Sequence, residues 1–258
     1  MSQLVFITGA SSGLGQALAL RFYRAGYTLA LVARRVNDVQ SWAAAQNIDA
    51  SRYRIYSADV ALTHSIIDAG KACLSDLGVP DVVIANAGIS IGMDSAIPGD
   101  LDVMARTLAT NLVGMAATFH PFLPSMTHRG SGRLVGIGSV AGIRGLPGHG
   151  AYCASKAGVI SYCESLRGEM RDSGVKVVTI CPGYIDTPLT QKNTYGMPFL
   201  MSAESFANKA FQTIASGASY QVIPWQMGVV AKLLRVLPNA LFDKALAGRD
   251  RKARSTES

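Results

Sequence analysis

Tyr152 and Lys156, four residues apart, are the pair in this 258-residue chain best suited to move a proton. They fall near the start of a run of good helix formers, Ala151 to about Arg171, where residues four apart share one face. A free phenol, with a pKa of about 10, is a poor acid or base near neutrality. A neighbouring ammonium stabilises the phenolate and pulls that value toward the working pH. Ser139 stands thirteen residues before the tyrosine, across a connection containing Gly142, Gly145, Pro147, Gly148 and Gly150. Such a connection is flexible enough to place Ser139 opposite Tyr152 across a cleft. Asn111 is a polar residue among Leu108, Leu112 and Met115 in a long helical stretch, Leu101 to about Phe122. By itself it reads equally well as a buried amide satisfied by backbone. Tyr–Lys pairs also occur on ordinary solvated faces, so this pair gains its weight from what surrounds it.

A second constellation suits a phosphate. Leu4-Val5-Phe6-Ile7 is a short apolar run of the kind a buried parallel strand shows. It feeds Thr8-Gly9-Ala10-Ser11-Ser12-Gly13-Leu14-Gly15, and a helix is predicted over 16–25. Glycines let the backbone approach a pyrophosphate, and the free N–H groups and dipole at the helix start attract its charge. The spacing is Gly-x3-Gly-x-Gly, not the Gly-x-Gly-x2-Gly of the commoner dinucleotide fingerprint. The next apolar strand, Thr28 to Ala33, ends at Arg34-Arg35. Dinucleotide folds carry at that end an acidic residue for the ribose 2′-hydroxyl, or an arginine for a 2′-phosphate. No Asp or Glu occurs between Gly9 and Val36, the first being Asp38, so no carboxylate there repels a phosphate. The pocket favours NADP(H).

Further strand-like runs lie at Arg54–Ala58, Val82–Ala85, Arg133–Ile137, Lys176–Cys181 and Tyr220–Ile223. Helical segments alternate with them, among them 63–77 with Thr63 as N-cap and 202–217 capped by Ser202. This alternation predicts a single-domain, Rossmann-type α/β fold, a doubly wound parallel sheet of about seven strands with helices on both faces. Ligands then sit beyond the carboxyl ends of the strands, where Asp59, Asn86 and Gly88 fall. The segment 189–201 has little periodicity but holds Tyr195, Met197, Phe199, Leu200 and Met201, and a loop so apolar is expected to be a lid. From Met227 to Leu237 apolar residues recur at three- and four-residue spacing (Val229, Val230, Leu233, Leu234, Leu237), and after Pro238 the pattern resumes over 240–247. The chain thus divides into a catalytic domain, 1–224, a C-terminal amphipathic helical extension of the same domain, 225–247, and a disordered polar tail, 248–258.

Composition narrows the function classes. Hydrophobic residues make up 49% and charged ones 16%, which allows a sizeable core. The net charge is +7, but from Trp225 onward seven Lys/Arg and three Asp/Glu account for +4 of it. The remaining charge is what a phosphate pocket would need, which argues against nucleic acid as a partner. Cys73, Cys153, Cys163 and Cys181 show neither CxxC spacing nor a His-rich neighbourhood, so they read as buried free thiols in a reducing compartment and no metal is expected. With no spanning apolar run and no charged leader, the expected location is the cytoplasm.

Together, Thr8-Gly9-x3-Gly13-x-Gly15, Asn86-Ala87-Gly88, Asn111, Ser139 and Tyr152-x3-Lys156 resemble the short-chain dehydrogenase/reductase family, with Pro182-Gly183 placed as in that family. The resemblance covers about residues 3 to 223. It implies that Tyr152 protonates a carbonyl oxygen as hydride arrives, or acts as base in reverse. Lys156 would lower the tyrosine's pKa and hold the nicotinamide ribose, Ser139 would hydrogen-bond the substrate oxygen, and Asn111 would orient a water leading from Lys156 to solvent. On the cofactor side it implies Gly9, Ser11, Ser12, Gly13, Leu14 and Gly15 around the pyrophosphate, with Arg34 and Arg35 at the 2′-phosphate. Asp59 and Val60 would meet the adenine, and Asn86 and Gly88 the ribose side. Pro182 and Gly183 would line the same cleft, with Ile185 and Thr187 at the carboxamide. Ala85 departs from the family, many of whose members carry an asparagine there.

The expected activity is NADP(H)-dependent interconversion of a carbonyl and a secondary alcohol, on an apolar substrate. The alternatives are a non-catalytic NADP(H)-binding sensor or scaffold, and a membrane-surface reductase of lipid-like ketones. The extension is expected to dock on the body as a cleft cap or oligomer interface. Contact with a membrane through Lys232, Arg235 and Lys244 is the alternative. The resemblance further implies a homodimer or homotetramer.

Overall fold

A computed structural model describes residues 3–191, 193, 196–248, 252 and 254. The chain begins with Leu4–Thr8 (β1), Gly13–Arg24 (α1), Thr28–Ala33 (β2), Val36–Ala45 (α2), Tyr53–Ser57 (β3), Thr63–Leu77 (α3) and Val82–Ala85 (β4). It continues through Asp100–Leu108 (α4), Gly114–Phe119 (α5), Leu123–Arg129 (α6), Gly132–Ile137 (β5), Gly150–Glu169 (α7) and Val175–Pro182 (β6). Ile185–Asp186 (β7), Met201–Ser202 (β8), Ala203–Ser216 (α8), Tyr220–Ile223 (β9), Trp225–Val236 (α9) and Asn239–Leu246 (α10) complete it.

Seven of the strands form one parallel sheet in the order β3-β2-β1-β4-β5-β6-β9, the doubly wound arrangement expected. Strand β1 lies at its centre, and all five of its residues are buried because helices cover both faces. Alternate side chains serve opposite cores. Val5 and Ile7 pack with Leu18, Phe22 and Phe206 of α1 and α8, whereas Leu4 and Phe6 pack with Ile66, Phe122 and Leu166 on the other side. The edge strand β3 keeps one core residue, Tyr56, and exposes Arg54 and Ser57.

Several local expectations change. The segment 36–45 is helical although it has no start signal in sequence; Arg35 at its N-cap makes no side-chain cap. Thr63 is the first residue of α3 and not its cap, a place taken by Leu62. The single helix expected over 101–122 is α4, a π-helical turn at Ala109–Val113, α5 and a 3-10 turn. Ser202 does cap α8, its hydroxyl accepting from Ser205 N at 3.2 Å. In α9 the buried residues are Met227, Gly228 and Ala231, while Val229 and Leu233, expected inside, face out. Of the tail, Lys252 and Arg254 are described. Arg254 makes a bidentate ion pair with buried Asp100, both bonds 2.7 Å, and Lys252 Nζ donates to Ser90 Oγ at 2.9 Å.

Candidate active site and cofactor cleft

Strand order reverses between β1 and β4, and the crevice beyond their carboxyl ends is where such sheets bind ligands. The glycine loop leaves β1 there, and Asn86-Ala87-Gly88 leaves β4 beside it. Thr8 joins the two loops: its hydroxyl accepts from the backbone N–H of Asn86 and Ala87, both at 3.1 Å. Asn86 returns the tie, its Nδ2 donating to Thr8 O at 3.0 Å. The loop closes so tightly that a Cβ at Gly15 would lie 2.1 Å from Gly9 O. Gly15→Ala is therefore expected to push the loop apart, lowering stability by about 1–3 kcal/mol and weakening dinucleotide binding. A melting curve together with an NADPH titration checks both effects.

The loop suits an anion. Ser12, at the N-cap of α1, makes no side-chain cap and the first turn holds no acidic residue, so the N–H groups of that turn remain available. Arg35 at the end of β2 reaches toward the loop, with Nη2 3.5 Å from Ser11 Oγ, while its Nε pairs with Asp38 at 2.8 Å. Arg34 turns the other way and pairs with Asp59 at 3.5 Å. Both guanidinium groups remain largely exposed, so these pairs are weak and can be exchanged for a phosphate. Leu14 packs against the core, and Val60 and Ile185 are themselves buried. Thr187 comes to the loop: a Cβ at Gly13 would lie 3.4 Å from the threonine Cβ. Gly183, after Pro182, lies against Met227 of α9.

The residues expected to move a proton gather at the same edge of the sheet. Ser139 follows β5; Tyr152 and Lys156 lie one turn apart on α7. The Ser139 hydroxyl accepts from Ala141 N at 3.1 Å and lies near enough to the Tyr152 phenol to lower its pKa. Lys156 is buried, its Nζ 5.8 Å from the centre of the Tyr152 ring and donating to Ile137 O at 2.8 Å. Gly88 makes room for it: a Cβ there would stand 3.1 Å from Asn111 Oδ1 and 3.5 Å from Lys156 Nζ. Asn111 sits on the π-helical turn with its amide fully used. Oδ1 accepts from Ile89 N at 2.8 Å, and Nδ2 donates to Ile89 O at 2.9 Å and to Ser155 Oγ at 3.0 Å.

Burial dominates the electrostatics. It pushes the Tyr152 phenol above its ordinary value, against the lowering effect of the nearby Ser139 hydroxyl. The net shift of the phenol is upward, opposite to the direction expected from Lys156. Burial likewise lowers Lys156 to about 8. A phenol so placed stays protonated through neutral pH, which is the form that gives a proton away.

Three positioning residues had not been singled out from sequence. Thr8 is the one polar side chain ending an apolar strand. Ser155 is three residues past Tyr152 and fully buried; its hydroxyl donates to Tyr152 O at 2.8 Å and so links Asn111 to the tyrosine backbone. Arg144 lies between Ser139 and Tyr152 and clamps the C-terminal extension. Its guanidinium donates to the carbonyls of Leu234 and Leu237 and to Asn239 Oδ1, and stacks 3.8 Å over the Phe242 ring. No sequence signal marks it. In the segment 189–201, expected to be a lid, Leu189, Phe199 and Leu200 are exposed, and Tyr195 lies outside the described residues. All four cysteines are buried free thiols.

A family model described as short chain dehydrogenase matches residues 3–197. An uncharacterized oxidoreductase of Myxococcus xanthus is 37% identical over 239 residues, covering 93% of this chain and 94% of its own. A dehydrogenase/reductase SDR family protein 7-like of Drosophila melanogaster is 36% identical, over 84% of this chain and 66% of that protein. An alcohol dehydrogenase from Thermococcus sibiricus, solved in complex with 5-hydroxy-NADP, superposes with a TM-score of 0.75 at 25% identity, covering 86% of this chain and 95% of its own. Fold, glycine loop, tyrosine–lysine pair and relatives agree: the chain belongs to the short-chain dehydrogenase/reductase family and is an oxidoreductase of that family.

Proposed function

We propose that this protein interconverts a carbonyl and a secondary alcohol with NADP(H), using Tyr152 as general acid and base. The observation that carries the reading is the convergence of a protonated, half-buried phenol with a serine hydroxyl and a buried ammonium beside the glycine loop. The residues fit a phosphorylated dinucleotide. The uncapped start of α1 suits the pyrophosphate, Arg35 with Ser11 and Arg34 suit a 2′-phosphate, and the space kept open by Gly88 leads to Lys156. The solved alcohol dehydrogenase in complex with 5-hydroxy-NADP adds support from a relative.

When bound, the nicotinamide supplies hydride to the carbonyl carbon in reduction and receives it in oxidation. Ser139 and Tyr152 position the substrate oxygen between their hydroxyls. As negative charge grows on that oxygen, the phenol passes its proton across; an alkoxide is much the stronger base, so the transfer runs downhill. Lys156 then faces the phenolate with its ammonium and favours it until a proton returns. Asn111 holds the segment after β4, and through Ser155 the backbone of Tyr152, so that Gly88 and the tyrosine keep their spacing. The exposed apolar residues of the lid favour an apolar substrate.

The test is NADPH oxidation across a panel of carbonyl compounds from short diketones to long-chain ketones. Turnover that rises with chain length is expected. Tight NADPH binding with no turnover on any of them would instead favour the sensor reading. Cofactor choice has its own test: Arg34→Asp removes one charge-assisted phosphate contact, worth about 1.5–3 kcal/mol. The ratio of kcat/KM for NADPH over NADH should therefore fall about ten- to a hundredfold. An unchanged ratio would leave the discrimination to Arg35.

A further inference from the structure

We propose that the exposed face of α9 and α10 is a docking surface for an anionic membrane. Four apolar side chains of α9 point away from the protein: Trp225 is 66% exposed, Val229 48%, Leu233 61% and Val236 77%. At 100° per residue they fall within an arc of about 80° on the helix. Lys232 is exposed about 20° outside that arc, Arg235 is exposed on the side of α9 nearer Gly228 and Ala231, and α9 contains no acidic residue. Helix α10 adds Leu241, 55% exposed, and the exposed Lys244. The opposite side of α9 is occupied by its own fold, through Met227, Gly228 and Ala231. The outward stripe therefore has no covering element among the described residues.

Charge chooses the occupant. The segment from Trp225 onward carries seven Lys/Arg against three Asp/Glu, the exposed Asp243 of α10 among them, so a two-fold pair joined through this face would bring two net positive segments together. An anionic bilayer surface instead attracts each basic residue, while tryptophan and aliphatic side chains enter the headgroup boundary. No helix among the described residues is long and apolar enough to cross a membrane, so the attachment is peripheral. The placement also suits the reaction. Trp225 follows β9 closely, at the same carboxyl edge of the parallel sheet as Ser139, and Arg144 fastens α9 and α10 to the loop between Ser139 and Tyr152. That an apolar ketone would then reach the cleft from the bilayer rests on the reductase reading; the docking does not.

The experiment is flotation of the full chain with phosphatidylcholine vesicles, with and without phosphatidylglycerol, at low and high salt. The protein is expected to float only with the anionic vesicles and to be released by salt. Lys232→Glu/Arg235→Glu should lower the floated fraction about tenfold or more, and Leu233→Asp should abolish flotation. Leu62→Asp, an exposed apolar residue away from this face, should leave it unchanged. NADPH titration and a melting curve on each variant establish folding, and turnover on a water-miscible ketone is read in parallel. Flotation without turnover would count against the reductase reading alone. Absence of flotation by the parent chain, or flotation that survives Leu233→Asp, would overturn the docking proposal. So would a parent chain that does not float but whose oligomer dissociates in Leu233→Asp, because the face would then belong to a second copy.

Discussion

Replacing Tyr152 by phenylalanine should lower kcat/KM for ketone reduction by about 10²–10⁴-fold while NADPH still binds. The substitution removes one hydroxyl and little else. The ring keeps its volume, and Ser155 holds the backbone carbonyl of residue 152, not its side chain, so the Asn111–Ser155 link survives. Ser139 keeps the hydrogen bond from Ala141 N. Stability is therefore expected to change by only about 1 kcal/mol. The comparison needs single-turnover kinetics and an NADPH dissociation constant for both proteins. A phenylalanine variant with parental turnover would take Tyr152 out of the chemistry and move the proton source to Ser139 or solvent.

The parts of the molecule legible in sequence are those where one residue type answers one physical demand. A strand buried on both faces must be continuously apolar, and Leu4–Ile7 and Val82–Ala85 are. A loop whose backbone passes within van der Waals contact of its neighbour must carry glycine, and Gly9 and Gly15 meet at that point. Helix α2 was not legible because it starts without a cap; tertiary packing of Val39 and Ala43 decides it. The π-helical turn around Asn111 has no sequence marker either, since it depends on an amide finding both backbone groups of Ile89. For α9 the period was readable but not its phase. Val229 and Leu233 look as suitable for a core as Met227 and Ala231, and only the position of β9 and the Arg144 clamp determines which set turns inward. The electrostatics of the site were misjudged for a related reason. Spacing reveals that an ammonium is near a phenol, but the depth of both, which here raises one and lowers the other, belongs to the fold.

That depth makes Lys156 a residue that costs stability, which leads to the second large effect. Its pKa falls from 10.5 to about 8 because burial disfavours the charged form. Between those values the unfolded chain binds more protons than the folded one, so stability contributed by this group rises as pH increases from about 8 to about 10.5. Below pH 8 the full penalty applies, on the order of 3 kcal/mol. Lys156→Met removes the charge at similar length but leaves Ile137 O without its donor, which costs about 1–3 kcal/mol. The two effects oppose each other, so near pH 7 the variant should unfold at nearly the parental denaturant concentration. Its stability should then lack the parent's upward slope between about pH 8 and about pH 10. Activity should behave quite differently, with kcat/KM falling about 10²–10⁴-fold because the phenolate loses its stabilising cation. Urea unfolding at a series of pH values, alongside steady-state kinetics, reads both. A parent chain with no slope in that window would show that Lys156 is hydrated in solution. A variant that keeps its turnover would leave the ammonium with no part in moving the proton.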